Sequence, residues 1–105
     1  MDPVPLPADR SPLRATVVVR NPNGLHMRPA MAFAKLAGKY RVTVKVRKQD
    51  RAVDGKSGMS LMLLAAMPGT ELCLEVDGED AATALPVLTE ALGSPSAEGL
   101  DALLN

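Results

Sequence analysis

His26 is the chain's single histidine, and it lies in the stretch NPNGLHMRPA with Arg28 two positions on and Pro29 directly after it. An imidazole can exchange a proton, ligate a metal or attack phosphorus, so its setting decides its chemistry. Asn21, Pro22, Asn23 and Gly24 carry strong turn chemistry. Pro29 suits the first turn of a helix, where a missing N–H costs nothing. His26 is therefore expected at the N-terminal edge of a helix, where unpaired amides and the positive end of the dipole favour an anion. A cationic ring is disfavoured at that end, which leaves one ring nitrogen as a nucleophile, and Arg28 can turn its planar donor fork toward a phosphate held there. These residue types in this order point to a histidine that accepts and releases a phosphoryl group. The plainer role of a surface or capping histidine competes with it, and position alone leaves the two open. A metal site is disfavoured, because there is no second histidine and no ligand spacing leads back to this one. No metal or cofactor is expected.

The elements that must hold this site follow from hydrophobic periodicity. RATVVVR sets Ala15, Val17 and Val19 against Thr16, Val18 and Arg20, and RVTVKVR sets Val42, Val44 and Val46 against Arg41, Thr43, Lys45 and Arg47. TELCLEV repeats the alternation, with Leu72, Leu74 and Val76 opposite Glu71, Cys73 and Glu75. Such strict alternation predicts an antiparallel sheet with one wet face, because strands buried on both sides read as continuous apolar runs. Helices should cover the other face. Ala30, Phe33, Ala34 and Ala37 recur at helical spacing, which predicts a helix over 27–39 stopped by Gly38. A second is expected over 57–67, with Ser57 as its N-cap and Pro68-Gly69 as its end. A third is expected over 79–92, with a kink or a later start caused by Pro86. A short strand over 51–53 completes the order βαββαβα.

At 105 residues the chain accommodates one domain, expected over 14–93, with a disordered leader at 1–13 and a flexible tail at 94–105. Apolar residues make up 47% but there is no Trp and only one Phe and one Tyr, so the core must be built from Val, Leu, Ala and Met. Acids and bases balance at 12 each, so no global field draws the chain to nucleic acid or to an anionic membrane, and recognition by charge must be local. The basic strand RVTVKVRK carries no interleaved aromatics, which argues against single-stranded nucleic acid. Cys73 is alone, which excludes an internal disulfide and a cysteine-built metal site; its apolar run suggests a small buried residue in a reducing compartment. With no signal-peptide pattern and no run long enough to cross a bilayer, the sequence reads as that of a soluble, cytoplasmic, monomeric protein without membrane insertion.

Two motifs add a resemblance. GLHMRPA resembles the active-site signature of the histidine-containing phosphocarrier (HPr) family of the bacterial sugar phosphotransferase system, and GKSGMSLMLLAAMPG is similar to that family's regulatory-serine segment. The resemblance covers residues 14 to 92 and implies an α+β fold, an open-faced β-sandwich with a four-stranded antiparallel sheet covered on one face by three helices. It further implies that His26 takes a phosphoryl group on Nδ1 from phosphorylated enzyme I and passes it to an EIIA-type acceptor protein, with Arg28 stabilising the phosphate and Pro29 shaping the helix start. Such a protein is a stoichiometric carrier rather than a stand-alone enzyme. Ser57 matches the serine that HPr kinase/phosphorylase modifies in many bacteria, and Lys56 precedes it as in several members. Capping of the helix explains Ser57 equally well. Lys56, Met59 and Met62 fall where the family docks its partners, and Gly58 stands where a larger apolar residue is common. An HPr-like regulatory or binding module, acting through Ser57 or docking without phosphorelay, is the alternative.

Overall fold

The computed structural model describes residues 12–95. Within them run β1 (Leu13–Val18), α1 (Met27–Ala37), β2 (Val42–Lys48), β3 (Arg51–Asp54), α2 (Gly58–Met62), β4 (Glu71–Gly78) and α3 (Ala81–Leu92), in the βαββαβα order. The strands form one antiparallel sheet in the order β1-β4-β2-β3, with Leu74 paired to Ala15 on one side and to Val46 on the other. This register places the valines of β2 and the Leu72, Leu74 and Val76 side chains of β4 on one buried face. Phe33 and Leu36 from α1, Leu61 from α2 and Leu88 from α3 close over it, all at most 1% exposed. The fold is thus an α+β open-faced sandwich, built because one sheet face is apolar at every second position and the helices bring the only surface that can cover it.

The opposite face is polar. Glu75, on central β4, forms ion pairs with Arg14 of β1 (Nε–Oε2 3.3 Å) and with Arg47 of β2 (3.7 Å). Cys73 lies on this same face, in register with Thr16 and Arg47, and is only half-buried. The burial suggested for Cys73 by its apolar run is therefore corrected, whereas its place beside Glu71 and Glu75 follows the twofold alternation of β4 as expected.

Several boundaries also differ from expectation. β1 begins at Leu13, inside the expected leader, and ends at Val18, though Val19 remains tied to the loop before β4 through Val19 N to Thr70 O (2.9 Å) and Gly69 N to Val19 O (2.8 Å). Residues 1–11 and 96–105, which hold the rest of the expected leader and tail, lie outside the described residues. α1 stops two residues early, where the Gly38 amide closes onto Ala34 O at 3.0 Å. α2 is one short turn rather than the expected span to Met67. Leu63 and Leu64 form turns beyond its end, and Ala65 adopts φ +49°, which no helix can continue through. The Lys48 ammonium donates to the Leu64 carbonyl at 3.0 Å and to the Ala65 carbonyl at 3.5 Å, a cation placed at the negative end of that turn. α3 starts later than expected, at Ala81, and is continuous across Pro86. Pro86 and Ala82, the residue whose carbonyl loses its helical donor, are both exposed, so water can satisfy that carbonyl.

The start of α3 is tied to the approach to β2. The Arg41 amide donates to Asp80 Oδ2 at 2.8 Å, and the Arg41 guanidinium adds a weaker attraction at 3.5 Å. The backbone hydrogen bond, aided by the guanidinium charge and opposed by partial desolvation, holds the Asp80 carboxyl below its ordinary value of 3.8. A carboxyl depressed in the folded state contributes stability that is complete above the unfolded pKa and lost as pH falls through the folded one. Asp80→Asn, which keeps an acceptor for the amide but removes the charge, is expected to flatten the fall of stability on acidification below about pH 4, measured by urea denaturation at a series of pH values.

Candidate functional site

The site is built on the turn that leads from β1 into α1. Asn21 is 7% exposed, and its Oδ1 accepts from the Asn23 amide (3.0 Å) while its carbonyl accepts from the Gly24 amide (2.9 Å). This Asx-type turn reverses the chain locally. Gly24 then adopts φ +73°, and a Cβ there would sit 2.5 Å from the Ala66 carbonyl oxygen, so this position needs glycine for both conformation and space. The close approach allows the Leu25 amide to donate to Ala66 O at 2.9 Å, and Leu25 packs into the core at 7% exposed. The next residue is His26.

His26 is the N-cap of α1, in extended conformation, exposed, with its carbonyl accepting from Ala30 N at 3.0 Å. The first amides of a helix have no intrahelical acceptor, and here the His26 side chain makes no capping hydrogen bond to them. Pro29, buried in the first turn, brings no N–H, and no acidic residue occupies that turn. Arg28 is exposed beside the ring in sequence. The arrangement is a solvent-facing imidazole at an uncapped, acid-free helix start with a guanidinium in the first turn, which is suited to a group that arrives and leaves as an anion.

The second segment borders the first because α2 packs against α1. Ser57 caps α2, its Oγ accepting from the Ser60 amide at 3.1 Å, an interaction worth about 1 kcal/mol. Lys56 is committed to the fold on both sides: its amide donates to Asp54 Oδ1 (2.9 Å) and its ammonium to the Tyr40 carbonyl (3.1 Å). Met59 projects outward at 71% exposed, whereas Met62 is half-buried and packs against the core. Gly58 is buried beneath Met31 of α1, and a Cβ on residue 58 would overlap the Met31 Sδ and lie 3.2 Å from its Cα. The thioether of Met31 thus fills the space left open by the absent side chain at position 58.

Among the described residues, the large apolar side chains left exposed are Leu13, Val18, Met27, Met31, Met59, Leu63 and Met67, and the last five of these lie on α1, α2 or the loop after it. Met67 adjoins the site turn, its Cα 3.3 Å from where a Cβ on Gly24 would be. Met27, Met31, Leu63 and Met67 were not singled out by sequence. The signal was nevertheless present: Met27 and Met31 are four apart and fall outside the Ala30, Phe33, Ala34, Ala37 core set, so they share the outward face of α1. Among the described residues, no helix is long and apolar enough to cross a membrane, and no cluster of His, Cys, Asp and Glu could hold a metal ion.

Comparison with known proteins agrees with this geometry. A family profile described as the PTS HPr component phosphorylation site matches residues 13–94. The chain is 40% identical over 87 residues to phosphocarrier protein HPr of Neisseria meningitidis, covering 83% of this chain and 98% of that protein. It is 42% identical over 84 residues to phosphocarrier protein HPr of Pseudomonas aeruginosa, covering 79% and 93%. The crystal structure of a phosphocarrier protein HPr from Bacillus anthracis superimposes with a TM-score of 0.73 at 31% identity, over 77% of this chain and 96% of that one.

The Gly24 contact generates a stability prediction. Gly24→Ala is expected to destabilise the fold by about 1–3 kcal/mol through backbone strain and the clash with the Ala66 carbonyl, read from the urea midpoint. A midpoint equal to that of the parent would show that the turn does not need glycine.

Proposed function

The chain belongs to the HPr family of the phosphotransferase system, and on that premise we propose that His26 is its phosphoryl acceptor, loaded by phosphorylated enzyme I and discharged to an EIIA-type acceptor protein. The observation that carries this reading is the exposed His26 ring at the uncapped start of α1. As the Nδ1 lone pair attacks phosphorus, the N–P bond forms while the bond to the donor breaks, and the reverse events load the acceptor. Amides of the first turn and the Arg28 guanidinium stabilise the charge spread over the phosphoryl oxygens. Little covalent machinery is needed, because the partners complete the site at a transient interface.

Docking is assigned to the apolar surface around the ring, with Met59 as its exposed member on α2. Unbranched thioethers adapt to differently shaped surfaces, which suits a carrier that meets a donor and several acceptors. Met62 supports that surface from below, and Lys56 orients the segment through Tyr40. Ser57 is proposed as a regulatory phosphorylation site for an HPr kinase/phosphorylase. The Ser57 hydroxyl oxygen bonds the Ser60 amide, so a phosphate there would face the same amide and bring negative charge to the rim of the docking surface. The relay is assigned to residues 14–93, acting as a cytoplasmic monomer.

Incubation of the chain with enzyme I and phosphoenolpyruvate is expected to yield one acid-labile phosphate, located on His26 by mass spectrometry and absent in His26→Ala. Arg28→Ala should slow uptake by roughly 10²-fold, measured on protein shown by circular dichroism to be folded. An acid-stable phosphate on Ser57 alone, formed with a kinase and ATP, would support the regulatory module instead.

A further inference from the structure

All five methionines of the described residues lie on α1, α2 or the loop that follows, and four of them are open to solvent: Met27 60%, Met31 50%, Met59 71% and Met67 63% exposed. The sheet and α3 contain none. This distribution is unusual for a side chain whose common use is to fill gaps in a core. The surface around His26 also has no exposed Phe, Tyr or Trp; the chain's one Phe is fully buried. Apart from Leu63, the exposed large apolar side chains there are all thioethers.

Resting on the docking reading above, we propose that this thioether face is a reversible oxidation site, at which a peroxide-class oxidant converts the exposed methionines, Met31 and Met59 foremost, to sulfoxides and thereby switches off partner docking. A sulfur lone pair attacks one peroxide oxygen. The S–O bond forms as the O–O bond breaks, sulfur loses two electrons, and the other oxygen leaves as water after proton transfer. A thiol-dependent methionine sulfoxide reductase returns the thioether, the oxygen leaving as water and the reductase's own thiols being oxidised to a disulfide.

Met31 brings the change to the contact between the helices. Its Sδ occupies the space over Gly58 at the α1–α2 contact, where even one additional carbon on residue 58 would collide with it, while half of the residue faces solvent. An oxygen added on the solvent side of that sulfur raises a dipole on the surface that a partner must bury. Met59, the most exposed of the set, changes polarity in the same way. Met62, half-buried against the core, is the internal reference for slow oxidation.

The full chain, in a Cys73→Ala background that removes the competing thiol, is treated with hydrogen peroxide and mapped by peptide mass spectrometry. Phosphoryl uptake from enzyme I and phosphoenolpyruvate is then compared with each protein's own untreated rate. One oxygen per residue is expected on Met27, Met31, Met59 and Met67 before Met62, with a fall in uptake of about tenfold, unchanged circular dichroism, and recovery after reductase and dithiothreitol. The variant carrying Met31→Leu and Met59→Leu should keep most of its own untreated rate after the same treatment. Uptake that survives full oxidation, a loss equally large in the leucine variant, or a loss accompanied by unfolding overturns the switch while leaving the relay intact. Absence of uptake before any treatment removes the relay reading and the switch with it.

Discussion

A single backbone hydrogen bond, from the Leu25 amide to the Ala66 carbonyl, joins the two segments on which the functional surface depends. It forms only because Gly24 has no side chain to hold the strands of backbone apart and accepts a positive φ. On one side of this bond the chain enters α1 with His26 at its N-cap. On the other it leaves α2 and turns toward β4. The exposed methionines of α1 and those of α2 and the loop after it consequently share one neighbourhood, although they are distant in sequence. Hydrophobic burial holds the helices on the sheet, but burial is non-directional. The position of the ring relative to the second segment rests on this directional contact and on the seating of Met31 over Gly58.

The sheet was legible because one face is wet: alternation in β2 and β4 identified Val42, Val44, Val46, Leu72, Leu74 and Val76, and all are buried. The helix start at His26 was equally legible, since Asn21 to Gly24 and Pro29 each restrict the backbone to a few conformations. What the sequence concealed was tertiary. Leu63, Leu64, Ala65 and Ala66 are all compatible with helix, so nothing local marks the end of α2 at Met62; the turn is imposed by partners from β2 and from the β1–α1 connection. For Cys73 the strand alternation indicated the open face correctly, while the apolar run suggested a burial that the half-exposed side chain does not have. The role of Gly58 could not be read from its own segment at all. Its significance lies in Met31, which belongs to a different helix.

The proposed relay asks little chemistry of the protein itself. It needs an imidazole, a guanidinium and a few backbone amides, with a second protein supplying the remaining groups. The outer sheet face, with its Arg14–Glu75–Arg47 ion pairs, is correspondingly remote from this chemistry. Surface pairs of that kind add little stability, so their main effect is to keep the open face polar.

Ala65, an L-residue with φ +49°, stores backbone strain of roughly 1 kcal/mol in the loop that presents Ala66 to the site turn. The compensating contact is the Lys48 ammonium on the Leu64 and Ala65 carbonyls. At 3.0 Å and partly buried, the contact with Leu64 lies well inside the screening length, so dissolved salt weakens it little. The geometry around the ring therefore leans on a cation anchored in the sheet, and a neutral side chain at position 48 would loosen a turn that it does not itself belong to.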